Sequence, residues 1–237
     1  MKITLTGTGS LYSRYNSAST LINDDLMIDM PNGIMKELLK HGFDLTKIKT
    51  ILITHFHGDH IADIPFFLEY IYFLRKEKYK LNIIGPIGIK NKIIELFTAY
   101  NFGTEEEFNN DFNLNIVEFT EKTIEINDYK IDSYHVIHGR QTNALGFVIN
   151  NELGITGDAS LCEGVEKIFE RSKLVIPDTS LLIGNNSHLG IDNIKYLINK
   201  YNTNVIATHL NEESRKNLIE NKLANIKVVE DFFETNL

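Results

Sequence analysis

The chain of 237 residues has a formal net charge of −8, 43% hydrophobic and 24% charged residues, and one cysteine, Cys162. These values exclude a disordered chain and an internal disulfide, and the acidic balance gives no overall footprint for a nucleic-acid backbone. No run is apolar or long enough for a signal peptide or a membrane span, so the expectation is one cytoplasmic domain with no membrane partner.

Lys2 to Thr6 alternates like a first strand and runs into Gly7-Thr8-Gly9-Ser10. That glycine-rich turn lacks the further glycine, lysine and threonine of a phosphate loop, so it reads as a loop entering an active-site face. Ser19 to Ile22 and Leu26 to Asp29 flank Asn23-Asp24-Asp25 and read as a hairpin. Asp29, where the second of these strands stops, can cap the next element or orient a metal-binding histidine. From Pro31 to His41, Ile34, Met35, Leu38 and Leu39 fall at helical spacing, with Gly42 as the stop. His41, in the last turn of that helix, reads as structural.

Next comes Ile51-Leu52-Ile53, a buried strand, and then Thr54-His55-Phe56-His57-Gly58-Asp59-His60. Three imidazoles and a carboxylate lie within the six residues from His55 to His60. Alternate side chains of an extended segment share a side, so His55 and His57 converge on one ion. A tight turn at Gly58 then directs Asp59 and His60 to a second point close by.

Ile61 to Lys76 is apolar and aromatic at helical spacing, and its rings read as core. Leu81 to Ile84 is a strand closed by Gly85-Pro86, Lys90 to Tyr100 is a helix, and Glu105-Glu106-Glu107 is a solvated run. Leu114 to Phe119, Thr123 to Ile126, Tyr129 to Val136, Ala144 to Ile149 and Leu153 to Thr156 suit an antiparallel meander. Strands Leu174 to Ile176, Val205 to Ala207 and Ile226 to Val229 then join with helices near Leu161 to Glu170, Ile191 to Lys200 and Ser214 to Asn221. Two sheets sandwiched between helices account for both halves.

A site for two ions needs more ligands than one loop provides, and metal-binding residue types recur where strands stop: His138, Asp158 and His209. His135 competes with His138 for its place. In this order His55-x-His57-x-Asp59-His60, His138, Asp158 and His209 resemble the metallo-β-lactamase superfamily over essentially the whole chain. The resemblance implies an α/β fold, a four-layer αββα sandwich of two mixed sheets flanked by helices. It implies two divalent cations, with zinc, manganese and iron all suited to imidazole and carboxylate donors. One ion takes His55, His57 and His138, the other Asp59, His60 and His209, with Asp158 bridging and a hydroxide between them as nucleophile. Val-Ile-His-Gly followed by Ala-Leu-Gly-Phe is similar to ribonuclease Z-like members after their third histidine, which favours His138.

Asp178, after a strand, and His188, opening the helix Ile191 to Lys200, resemble the acid-plus-histidine pair of ribonuclease Z-type phosphodiesterases. His188 would bind a phosphate oxygen or protonate the leaving alkoxide, with Asp178 orienting it. Asp178 stands where a glutamate is expected, and its reach is shorter. Ribonuclease Z proteins of the usual kind carry an exosite arm where this chain has only Phe147 to Gly157. The expectation is therefore a phosphodiesterase for a small phosphodiester or cyclic nucleotide, with structured nucleic acid disfavoured. Arg140 and Asn143 are candidates to hold the phosphate. A carboxylic-ester, lactone or thioester hydrolase and a tRNA 3′-processing endonuclease are the alternatives, and a homodimer is compatible with the sequence.

Overall fold

Apolar residues that alternate along short strands decide which side each strand buries. In the computed structural model, which describes residues 1–75 and 80–237, Leu26, Ile28 and Leu52 face one side of a sheet while Met27, Ile51 and Ile53 face the other. Both sides are buried. The sheet must therefore be covered twice, by helices on one face and a second sheet on the other.

The first half runs β1 (Lys2–Gly7), β2 (Ser19–Ile22), β3 (Leu26–Ile28), α1 (Ile34–Lys40), β4 (Thr50–Leu52), α2 (Gly58–Ile61), α3 (Ile64–Arg75), β5 (Lys80–Pro86), α4 (Ile89–Ala99), α5 (Glu105–Asp111) and β6 (Asn113–Phe119). The second half runs β7 (Lys122–Ile126), β8 (Tyr129–His135), β9 (Leu145–Ile149), β10 (Leu153–Ile155), α6 (Glu163–Glu170), β11 (Leu174–Ile176), α7 (Ile191–Tyr201), β12 (Asn204–Ala207), α8 (Glu212–Asn221), β13 (Ile226–Val228) and β14 (Phe233–Asn236).

Among the described residues the strand orders are β14-β1-β2-β3-β4-β5-β6 and β13-β12-β11-β10-β9-β8-β7. Each sheet is antiparallel in one half and parallel in the other. The parallel pairs are β3·β4, β4·β5 and β5·β6 in the first sheet. In the second they are β10·β11, β11·β12 and β12·β13. Between the sheets Ile3, Leu5 and Leu52 meet Phe147, Ile155 and Ile176. Outside the first sheet Ile34, Phe67 and Ile93 cover Met27, Ile51 and Ile83. Outside the second, Ile168, Phe169, Ile194 and Leu197 cover Val148, Val175 and Val205. This is the four-layer αββα sandwich of two mixed sheets.

Two expectations need correction, and two elements, α5 and β14, have no counterpart in the sequence reading. Leu114 to Phe119 does not join the meander; as β6 it pairs parallel with β5 at the edge of the first sheet. The helix expected from Ile61 is broken, because Asp63 turns back to accept from the backbone N–H groups of Gly33 and Met35 and so caps α1. The far end of that helix, Lys76, lies outside the described residues. Glu105 to Glu107 is solvated but also forms the first turn of α5, under a capping box in which Thr104 and Glu107 bond reciprocally. The terminal strand β14 was not anticipated, and it pairs antiparallel with β1. No described helix is long and apolar enough to cross a membrane.

Candidate metal centre

The chain changes conformation in the middle of the histidine-rich loop, and that change separates its side chains into two groups. His55 and His57 lie in extended backbone after β4, so their rings share a side; from Gly58 the chain makes one helical turn, α2, which swings Asp59 and His60 elsewhere. Gly58 has no positive φ, and a Cβ there would meet nothing, so the turn does not depend on glycine. Gly58 itself lines the cleft beside His57 and Asp59.

His55 Nε2 and His138 Nε2 lie 3.1 and 3.2 Å from His57 Nδ1. Ring nitrogens around one tetrahedral zinc sit about 3.3 Å apart, given Zn–N bonds of roughly 2.0–2.1 Å. Asp158 Oδ2 is 3.8 Å from His55 Nε2, 3.7 Å from His138 Nε2 and 3.3 Å from His209 Nε2, while its Oδ1 is 3.4 Å from His60 Nε2. Asp59 Oδ2 stands 3.8 Å from His60 Nε2 and 3.7 Å from His209 Nε2. The structure thus gathers His55, His57, His138 and Asp158 at one point, and Asp59, His60 and His209 at another. His60 Nε2 and His209 Nε2 are buried with no hydrogen-bond partner. Buried polar atoms without partners are costly, and two lone pairs facing carboxylates fit a cation between them. The residues present therefore suit metal ions. His135 stays out of the cluster: it is exposed, and its Nε2 bonds the carbonyl of Thr142.

The outward nitrogens are held as firmly. Asp29 Oδ2 accepts from His60 Nδ1 at 2.7 Å and from Thr54 Oγ1 at 2.8 Å, and Thr54 Oγ1 in turn lies 3.0 Å from His55 Nδ1. Of the two roles open to Asp29, orienting a histidine is the one observed, and Thr54 is a participant the sequence reading missed. His138 Nδ1 donates to the carbonyl of Ser187 at 2.7 Å. Fixing the outer nitrogen fixes the tautomer that faces a metal. Asp29 and His209 have left-handed backbone, φ +57° and +53°. Such strain persists only where neighbours over-determine it. At His209 bonds on either side do so, from Thr208 N to Pro177 O and from Leu210 N to Thr8 O.

Electrostatics separates the rings. Burial, with the neighbouring His60, holds His55 well below its ordinary value. Burial also opposes charge on His60 and His209, but Asp158 and the other carboxylates outweigh it. His60 is raised well above its ordinary range, and His209 is pushed up to about 10. Asp158 sits among these imidazoles, and despite its burial they hold it well below the carboxylate range.

Asp178 and His188 do meet: Asp178 Oδ2 accepts from His188 Nδ1 at 2.8 Å, so the short aspartate reaches. Gly190 caps α7, and His188 is fixed by its backbone N–H donating to Asn185 Oδ1. It opens on a cleft of about 480 Å³ lined by His57, Asp59, His138, Asp158 and His209, with Leu11, Tyr12 and Leu181 as an apolar wall. Neither Arg140 nor Asn143 is among the described residues that line it; Asn143 donates to the carbonyl of Ile87 and Arg140 is exposed.

Solved structures share this architecture. The chain is similar to human tRNase Z, short form (TM-score 0.77, 18% identity, 100% of this chain and 99% of that one). It is equally similar to a diphosphatase of the PhnP family (TM-score 0.78, 16% identity, 100% and 97%). Among curated proteins it is 31% identical over 147 residues to ribonuclease Z of Methanococcus maripaludis, covering 58% of this chain and 46% of that protein. It is 37% identical over 101 residues to ribonuclease Z of Staphylococcus carnosus, covering 39% and 33%. The matched regions thus span less than half the length of these curated relatives. With the fold, the histidine-and-aspartate clusters and a family model matched over residues 1–232, the chain belongs to the family described as anti-Pycsar protein Apyc1, a ribonuclease Z-like branch of the metallo-β-lactamase-fold hydrolases.

Proposed function

We propose that the chain is a two-metal phosphodiesterase acting on a small phosphodiester, such as a cyclic nucleotide. The observation that carries this reading is the His188–Asp178 pair, at 2.8 Å, opening on the same cleft as the clustered ligands. One ion would be held by His55, His57 and His138, the other by Asp59, His60 and His209, with Asp158 reaching both; zinc, manganese or iron suits these donors. Two such ions polarise phosphoryl oxygens and make water nucleophilic at neutral pH.

The chain's own residues supply the rest. Asp178 occupies His188 Nδ1, so the proton available for transfer is on Nε2. Burial lowers the affinity of His188 for that proton, but Asp178 outweighs it and raises the pKa above the ordinary histidine value. A ring that holds its proton more tightly than free histidine attracts the phosphate anion and protonates the departing alkoxide. Among the described residues lining the cleft there is no Lys or Arg, which suits a substrate with a single phosphodiester charge. Leu11 and Tyr12 offer its organic part an apolar wall.

A tRNA 3′-processing activity is the second reading, favoured by the name of the curated relatives. Against it, β9 and β10 are joined by the tight turn Asn150-Asn151-Glu152, with Ile149 paired to Leu153, which leaves no room for an arm. The His188→Ala variant, assayed on a 3′,5′-cyclic nucleotide, whose leaving group is an alkoxide, should lose roughly 10²–10⁴-fold in kcat, the usual worth of a general acid, and Asp158→Ala should be inactive. Wild-type turnover in His188→Ala alongside an inactive Asp158→Ala would reject His188 as the general acid.

A further inference from the structure

His209 needs a partner for its outer nitrogen, yet the nearest carboxylate oxygen, Asp178 Oδ1, is 3.6 Å from Nδ1, too far for a hydrogen bond. Ser180 fills the gap. Its Oγ lies 2.6 Å from His209 Nδ1 and hydrogen-bonds Asp178 Oδ1, which also accepts from the backbone N–H of Ser180 at 3.0 Å. The hydroxyl has one hydrogen to give. Were it given to His209 Nδ1, Nε2 would carry the ring proton and point an N–H into the cluster, where no lone pair would remain for a cation. The workable direction is Nδ1–H to Ser180 Oγ and Ser180 O–H to Asp178 Oδ1.

The same device occurs across the cleft on unrelated residues. There Thr54 Oγ1 stands between Asp29 Oδ2 and His55 Nδ1, at 2.8 and 3.0 Å, while Asp29 also binds His60 directly. Each carboxylate therefore anchors two imidazoles, one directly and one through a hydroxyl. On the second side the direct partner is His188. Ser180 is itself pinned: Ser214 Oγ donates to its carbonyl at 2.8 Å, and only 5% of the residue is exposed.

We propose that Ser180 is a positioning residue for the second metal: it holds His209 as the Nδ1–H tautomer and ties that ligand to the carboxylate that orients His188. The inference rests on the two-ion reading above but not on the identity of the substrate. Its test is metal binding. The full chain, stripped with chelator, is titrated with Zn²⁺ in competition with a chromophoric chelator, as wild type, Ser180→Ala and Ser180→Thr. Ser180→Ala should take its first equivalent as wild type does and bind the second roughly 10–100-fold more weakly, the usual effect of losing a partner behind a ligand; Ser180→Thr, which keeps the hydroxyl, should restore it. Ser180→Ala binding both equivalents with wild-type affinity, losing both together, or not being rescued by threonine would overturn the proposal. A wild-type chain that binds one ion would instead defeat the two-ion reading, and one that binds two ions and cleaves no phosphodiester would defeat only the substrate assignment.

Discussion

Protons would compete with a metal at His60 and His209, because the carboxylates that face these rings stabilise imidazolium as they would a cation. His209 shows the sign. Its folded value of about 10 lies above the ordinary 6.5, so in the metal-free protein its contribution to stability is complete below about pH 6.5 and is lost as the pH rises through about 10. The Tm of the chelator-treated chain should fall across that window, and adding metal at pH 7 should acidify a weakly buffered solution. A metal-free Tm that stays flat between pH 6.5 and 10, with no proton release on loading, would show that these rings are already neutral without metal.

At the residue scale the sequence was informative where chemistry is written locally. The spacing of His55, His57, Asp59 and His60, and the strand-end positions of His138, Asp158 and His209, named the residues that the fold gathers. Thr54 and Ser180 were not legible. A serine or threonine hydroxyl carries no signal of its own, and its role depends on a partner brought up by another strand, as Asp29 is brought to Thr54 and His209 to Ser180.

Loops at strand ends do the placing, and at one of them backbone conformation is decisive. Gly157, between β10 and Asp158, has φ +58°, and a Cβ there would come within 2.7 Å of Thr54 Cβ. Gly157→Ala combines left-handed strain with a clash against a residue that helps hold His55, and should cost roughly 1–3 kcal/mol. Urea unfolding of the variant would read that loss as a lower midpoint with an unchanged m-value. A wild-type midpoint would mean that the loop yields without cost. The β1–β2 loop is held by long-range contacts instead: Asp231 accepts from Thr8 N, Thr8 Oγ1 and Asn16 N, close to the turn that presents Leu11 and Tyr12 to the cleft. Local pattern found the elements but not these attachments. The break before α3 was invisible for the same reason, since Asp63 answers N–H groups of another helix.

Across the whole molecule, the site lies where the two sheets bring their strand ends together. Asp29 and His55 follow β3 and β4 of the first sheet; Asp158, Asp178 and His209 follow the parallel strands β10, β11 and β12 of the second. The layer order was readable from alternation and strand count, whereas the pairings were not. β6 crossed to the first sheet, and β14, with Phe233 half-buried and no apolar run around it, returned to the other end of the chain. Strand pairing is a non-local choice that period and propensity leave open.

The most direct measurement is steady-state turnover of the zinc- or manganese-loaded chain on three substrates side by side: a 3′,5′-cyclic nucleotide, p-nitrophenyl acetate and a 3′-extended precursor tRNA. The expected result is hydrolysis of the cyclic phosphodiester, abolished by chelator and restored by metal, with kcat/KM far above that for the ester and no discrete cleavage of the tRNA. Efficient, metal-dependent cleavage of the tRNA or of the ester, with the cyclic nucleotide untouched, would contradict it.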